Sequence, residues 1–179
     1  MSDRLLIRPN SLSNEEHDGK VIGFTLSVRI ANYRGVYLPL HNGYYLSIDG
    51  AEYPTSLQSF EINDKPPRSF DEIRTAVWER WDYDDEAVLH VCLVGGLSPG
   101  MHTIRFKQLG LNVYGYPTTD QEWFDTCPKP GVGASSATIP KISTYTLTLN
   151  ERPVVSCHAF ARRSRSKINS LRSKAFLQS

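Results

Sequence analysis

Apolar and polar residues alternate through residues 20–30 (KVIGFTLSVRI), where Val21, Phe24, Leu26, Val28 and Ile30 stand among Gly, Thr, Ser and Arg. Side chains of a strand point alternately to two faces, so this period predicts a strand with one buried face. The period returns at 44–49 (YYLSID), which runs into Asp49-Gly50 before apolar character resumes at Tyr53. An Asp-Gly pair tolerates the positive φ angles of a tight reversal, which predicts a hairpin there. Residues 57–62 (LQSFEI) alternate again and stop at Asn63-Asp64-Lys65-Pro66-Pro67, where two prolines offer no N–H to a ladder. Residues 87–94 (AVLHVCLV) are continuously apolar and read as a strand buried on both faces or nearly so. Gly95-Gly96-Leu97-Ser98-Pro99-Gly100 then reverses the chain, and 101–116 reads as a long strand broken or bulged at Gly110. Residues 145–149 (YTLTL) close the series in strict alternation.

One segment carries two periods. In 69–81 (SFDEIRTAVWERW), Ser69 with Glu72 three residues on has the spacing of a capping box, and Phe70, Ile73, Val77 and Trp81 approach helical spacing. Thr75, Val77, Glu79 and Trp81 also alternate, and the β-branched and Trp content predicts a turn of helix followed by a strand from about Thr75 to Trp81. Repeated short strands with little helix predict an all-β fold, an antiparallel β-sandwich with jelly-roll-like character. Residues 1–150 would form this domain, with a long Pro-, Gly- and Ser-rich loop at about 117–140 of the length that tends to be functional.

Charge divides the chain. The formal net charge is only +1, yet residues 152–179 hold seven basic residues and no carboxylate, leaving 13 basic against 19 acidic residues, or −6, for 1–151. The basic stretch lacks an aromatic stacking platform and faces an acidic body. It reads as a solvated or self-docking tail (151–179) and not as a nucleic-acid arm. No apolar run of about 18 residues is present and no signal-peptide pattern opens the sequence, so neither membrane association nor secretion is expected. Three scattered cysteines, Cys92, Cys127 and Cys157, fit a reduced, cytoplasmic setting better than a disulfide framework or a thiolate metal site.

No arrangement of titratable residues points to catalysis or to a metal within the chain. His17, His41, His90, His102 and His158 have no partner at ligand spacing, and His90 reads as a strand side chain whose ring is satisfied locally. Glu79 with Asp82, or Asp120 with Glu122, are carboxylate pairs of the kind any acidic surface carries. Neither a nucleophile elbow nor a phosphate loop occurs. The aromatic content is the stronger signal. Tyr and Trp at 33, 37, 44, 45, 53, 78, 81, 83, 114, 116 and 123 exceed what one sandwich core is expected to bury, so some should face a partner or a sugar ring.

Three strings come in a recognisable order: Gly23-Phe24-Thr25-Leu26-Ser27-Val28-Arg29-Ile30, then Asn32-Tyr33-Arg34-Gly35-Val36-Tyr37-Leu38-Pro39-Leu40, then Gly95-Gly96-Leu97-Ser98-Pro99-Gly100-Met101-His102. With the Asp49-Gly50 hairpin and the Trp78–Trp81 segment between them, residues 5–149 resemble the small β subunit of bacterial C-glycoside deglycosidases. The resemblance implies a heteromeric carbon–carbon lyase. A larger TIM-barrel α subunit would hold a divalent metal, usually manganese, and the catalytic base. The substrate would be a 3-oxo-glucosyl aromatic C-glycoside cleaved by metal-assisted β-elimination. This chain would then carry no catalytic residue and no cofactor. Tyr114, Tyr116 and Trp123 are the expected ligand or subunit contacts, with Tyr33, Arg34, Trp78 and Trp81; Arg29 and Arg34 would brace the turn or the interface. The competing reading is a stand-alone carbohydrate-binding β-sandwich module.

Overall fold

A computed structural model describes residues 6–31, 35–110, 119–127, 129–132 and 142–149, with the side chains of Trp123, Phe124 and Thr126 outside that description. In chain order the strands are β1 (Ser13–His17), β2 (Lys20–Arg29), β3 (Val36–Tyr37), β4 (His41–Ile48), β5 (Ala51–Glu52), β6 (Gln58–Glu61), β7 (Arg68–Ser69), β8 (Arg80–Trp81), β9 (Glu86–Cys92), β10 (Gly100–Gly110) and β11 (Ser143–Leu149). Helix α1 (Phe70–Thr75) follows β7, and α2 (Asp120–Thr126) precedes β11. Every strand pairing is antiparallel.

Local chemistry sets the reversals. Asp49 and Gly50 adopt φ of 50° and 89°, a two-residue turn that places Ile48 opposite Ala51. Asp18-Gly19, with φ of 49° and 74°, closes the β1–β2 hairpin in the same way. The five-stranded sheet β1-β2-β9-β6-β7 lies on the four-stranded sheet β11-β10-β4-β5, and β3 with β8 forms a separate two-stranded ribbon. Phe24, Leu26, Val28, Phe60, Leu89 and Val91 from the first sheet meet Tyr44, Leu46, Ile48, Ile104, Phe106 and Leu147 from the second in one continuous core. Each such side chain, fully buried, contributes about 1.5–3 kcal/mol relative to exposure. Gln58 ties the layers together from inside. Its Nε2 donates to the carbonyls of Tyr44 at 3.0 Å and Tyr53 at 2.8 Å, while its Oε1 accepts the Tyr44 N–H at 3.2 Å. The amide thereby substitutes for a missing ladder partner, and its burial carries no unpaired polar penalty.

Several expectations are corrected. Residues 75–81 do not form a strand; the capping box prevails. The Ser69 N–H donates to Glu72 Oε2 at 2.7 Å and Ser69 Oγ accepts the Glu72 N–H at 3.3 Å, so α1 starts there and buries Phe70 and Ile73, three residues apart. The strand pattern survives only as β8. Residues 87–94 are not buried on both faces: Ala87, Leu89 and Val91 point inward, whereas the alternate positions are partly open and Cys92 is exposed. Among the described residues the 101–116 strand ends at Gly110, beside a register shift, and residues 111–116 lie outside the description. The expected 117–140 loop contains α2. The tail at 151–179 lies wholly outside the described residues. Of the eleven rings, Tyr44, Tyr45, Tyr53 and Trp81 are buried and Trp78 is exposed.

Candidate functional site

At the end of the sandwich where β4 begins, the β3–β8 ribbon, the C-terminal end of α1 and the N-terminal end of α2 come together. Leu38-Pro39-Leu40, a single 3-10 turn, leads from β3 into β4, and the Leu38 N–H donates to the Glu79 carbonyl at 2.8 Å. A small apolar cluster of Leu40, Val77 and Cys127 forms there with Tyr37 packed against it, separate from the main core. Tyr37 meets Trp78 edge to face, with ring centroids 6.4 Å apart, and the Arg80 guanidinium lies 4.9 Å from the Tyr37 ring centre. Trp78 donates its indole N–H to Asp120 at 3.2 Å yet stays 56% exposed. The Asn42 side-chain amide donates to the carbonyls of Lys129 and Val132, and the Asn42 backbone carbonyl accepts the Gly131 N–H at 2.9 Å, fastening residues 129–132 to β4.

The electrostatics make this surface rigid and chemically quiet. Burial pulls the Glu79 carboxyl upward, but hydrogen bonds from Arg68, Lys65 and Asn63 outweigh it and hold it at about 2. That ionised carboxylate fixes the 63–68 loop beside β8. Hydrogen bonds to Tyr37, then to Asp82, strengthen the charge on Arg80. Burial pushes the Cys127 thiol up, against the weaker pull of Arg74, and so disfavours a nucleophilic thiolate. Directly behind the surface His41 is sealed at 1% exposure among Tyr44, Phe60, Phe70 and Trp81, at ring distances of 4.7–5.4 Å. Its burial lowers its pKa to about 4 despite the Leu109 carbonyl bound at Nδ1. A neutral imidazole walled off in this way cannot reach a substrate proton. The arrangement offers aromatic contact area on a braced frame and no nucleophile–base pair.

The expected contact residues divide accordingly. Trp78 stands on this surface. Trp81 does not: it is 0% exposed, donates its indole N–H to the Asp85 carbonyl at 3.2 Å, and is a core residue. Trp123 lies on α2 with its side chain outside the description, and Tyr33, Arg34, Tyr114 and Tyr116 lie outside the described residues. Arg29, expected to brace the turn or the interface, ends β2 with its guanidinium 3.6 Å from the Glu86 carboxylate. Arg80 was not among the expected contacts, and Tyr37 figured only as one of the eleven rings and inside one of the motif strings.

His90 is satisfied, but by carboxylates distant in sequence: Nδ1 lies 3.0 Å from Glu15 on β1 and Nε2 2.8 Å from Glu61 on β6. A shallow depression of about 310 Å³ near the ends of β6 and β9 is lined by Glu61, Asp64, Asp85 and Glu86 with Ile62, Asn63 and Val88. Among the described residues, no three His, Cys, Asp or Glu side chains converge as metal ligands would. No helix among the described residues is long and apolar enough to cross a membrane.

Comparison with known proteins gives this architecture a lineage. A curated C-glycoside deglycosidase beta subunit from Eubacterium cellulosolvens is 29% identical over 89 residues, covering 50% of this chain and 60% of the relative. The chain thus spans less than two thirds of that relative's length. The family model for C-glycoside deglycosidase beta subunit matches residues 2–114, from the first described residues through β10, and so takes in the β3–β8 ribbon, α1 and Trp78. By that match over more than half its length, the chain belongs to the C-glycoside deglycosidase beta subunit family.

Proposed function

We propose that this chain is the non-catalytic β subunit of a heteromeric, cytoplasmic C-glycoside deglycosidase, and that its Tyr37–Trp78 surface docks on a larger α subunit of TIM-barrel form. The family match supports the subunit role, and the half-open Trp78 indole beside Tyr37, Leu40 and Val77 is the observation that carries the docking assignment. An aromatic and aliphatic patch with one arginine at its rim has the composition of an interface centre.

The substrate class is a 3-oxo-glucosyl aromatic C-glycoside. Its C3 ketone acidifies the C2 proton; once a base removes that proton, the enolate electrons expel the aryl carbon from C1, and that carbon takes up a proton. The base and the divalent metal, manganese, belong to the larger partner in this reading, and no step runs through a side chain described here. The contribution of this chain is to stabilise the partner and to close its active-site mouth against water.

Co-expression of the chain with its genomic neighbour tests the reading. The expected result is a co-purifying larger subunit, divalent metal in the complex, and cleavage of a 3-oxo-C-glucoside that neither subunit performs alone. Trp78→Ala should weaken co-purification. Cleavage by the isolated chain would overturn the division of labour. A monomer that binds glycans and captures no neighbour would establish the stand-alone carbohydrate-binding module instead.

A further inference from the structure

A strand at the border of a sheet exposes a row of backbone N–H and C=O groups, and proteins blunt such borders with short length, charge or bulges. Three of the four borders of the two main sheets are blunted in these ways. β5 and β7 are two residues long, and β1 carries Glu15 and Glu16 with a bulge between them. The fourth, β11, has none of these devices. It runs for seven residues, Ser143-Thr144-Tyr145-Thr146-Leu147-Thr148-Leu149, without charge, proline or bulge, and pairs in unbroken register with β10. Among the described residues nothing pairs with its other edge. The strand also lies beyond residues 2–114, the part matched by the family model.

We propose that β11 is a dimerisation strand, and that its occupant is β11 of a second copy of this chain, antiparallel across a two-fold axis at Thr146. The sequence of the strand favours a copy of itself. The two-fold sets Thr146 opposite Thr146, Thr144 opposite Thr148, and Tyr145 opposite Leu147. Thr144, Thr146 and Thr148 are exposed, so they form an outward hydroxyl ladder, and Tyr145 with Leu147 extends the inward apolar row. Thr–Thr and aromatic–aliphatic pairs are favourable cross-strand neighbours. Self-pairing by a charged edge such as β1 would oppose like charges; this edge has none. Among the described residues, the nearest cation on the outward face is Arg105 of β10, level with Thr144. Three strand spacings and four residues of offset would separate it from its counterpart by about 20 Å, more than twice the screening length of about 8 Å at physiological salt. The product is one continuous eight-stranded sheet, β5-β4-β10-β11 followed by its symmetry mate.

This inference does not depend on the docking assignment, because the Tyr37–Trp78 surface is built from other elements. The test uses the full chain, alone or as it co-purifies. Sedimentation should show a dimer of the chain at tens of micromolar, and Thr146→Lys should raise the dimer dissociation constant at least tenfold while leaving the circular dichroism unchanged. In a Cys92→Ser, Cys157→Ser background, Thr146→Cys should give a disulfide-linked pair of copies on mild oxidation. Thr103→Cys, one strand further in, should not. A wild-type monomer, a dimer indifferent to Thr146→Lys, or equal cross-linking at both cysteines would overturn the proposal and assign the edge to another strand. The cross-link reads contact between two copies only, so its failure leaves the subunit reading standing, and failure of co-purification leaves this one standing.

Discussion

Two histidines, at opposite ends of the sandwich, are almost equally buried, His41 at 1% and His102 at 4% exposure, yet their surroundings drive them in opposite directions. His41 is packed among four aromatic rings with one carbonyl at Nδ1 and an unpartnered Nε2, and burial holds it neutral with a pKa of about 4. For His102 burial also opposes the charge, but the Asp49 carboxylate at 2.7 Å and the Ser98 carbonyl at 2.7 Å outweigh it and raise its pKa. Loss of water does not by itself decide whether an imidazole is charged; the acceptors that replace water do. The end beside Trp78 is therefore an apolar cage, and the far end is an ionic clasp joining the Asp49-Gly50 hairpin to the 95–100 turn.

The largest expected effect comes from opening the cage. Trp81→Ala should cost about 3–5 kcal/mol in denaturant unfolding, the range for deleting a fully buried aromatic side chain. It should also let the His41 pKa return toward 6.5, readable by proton NMR; an unchanged His41 would mean that the rings are not what keeps it neutral.

Acid should act on the cage next. His41 is depressed in the folded state, so its contribution is complete above the unfolded value of 6.5 and is lost as pH falls toward about 4. The loss amounts to about 3 kcal/mol for a shift of that size. His41→Phe should abolish this slope in urea titrations run between pH 4.5 and 7.

The clasp should respond with opposite sign and smaller size. His102 is raised, so its contribution is present below 6.5 and lost as pH climbs through the folded value. Asp49, held down first by the His102 hydrogen bond and then by the Thr103 N–H, contributes above its ordinary 3.8 and loses that contribution in acid. The pair is therefore strongest between about pH 4 and 6.5. Asp49 is half exposed, so Asp49→Asn, which preserves the turn, should cost less than about 1 kcal/mol at pH 5.5 and almost nothing at pH 9. The smallest change in stability is expected for Trp78→Ala, under about 1 kcal/mol in thermal unfolding, because its indole is already more than half open. A large loss there would place Trp78 in the cage and remove it from the proposed docking surface.

How much could be read along the chain depended on how local each cause was. The Asp49-Gly50 reversal, the Ser69–Glu72 capping box and the alternation of β2 are all decided within a few residues, and each is present in the fold. The second Asp-Gly reversal, Asp18-Gly19, was equally open to that reasoning. Residues 75–81 misled because Thr, Val and Trp favour strands on average, whereas the cap had already committed the preceding turn to helix. Which of the aromatic rings would be buried was not legible for the opposite reason. How many rings a core accepts depends on how two sheets face each other, and here they close around His41.

The sequence by itself determined the class of fold, the turns and the family, because alternation, turn chemistry and motif order are properties of neighbours along the chain. Tertiary structure alone decided which ring would be buried and which exposed. It set Trp81 inside and Trp78 outside, brought Glu15 and Glu61 to the two sides of His90, and left β11 at a sheet border. Each of these depends on strands far apart in sequence lying about 5 Å apart in a sheet or about 10 Å apart between sheets, and no local pattern encodes such distances.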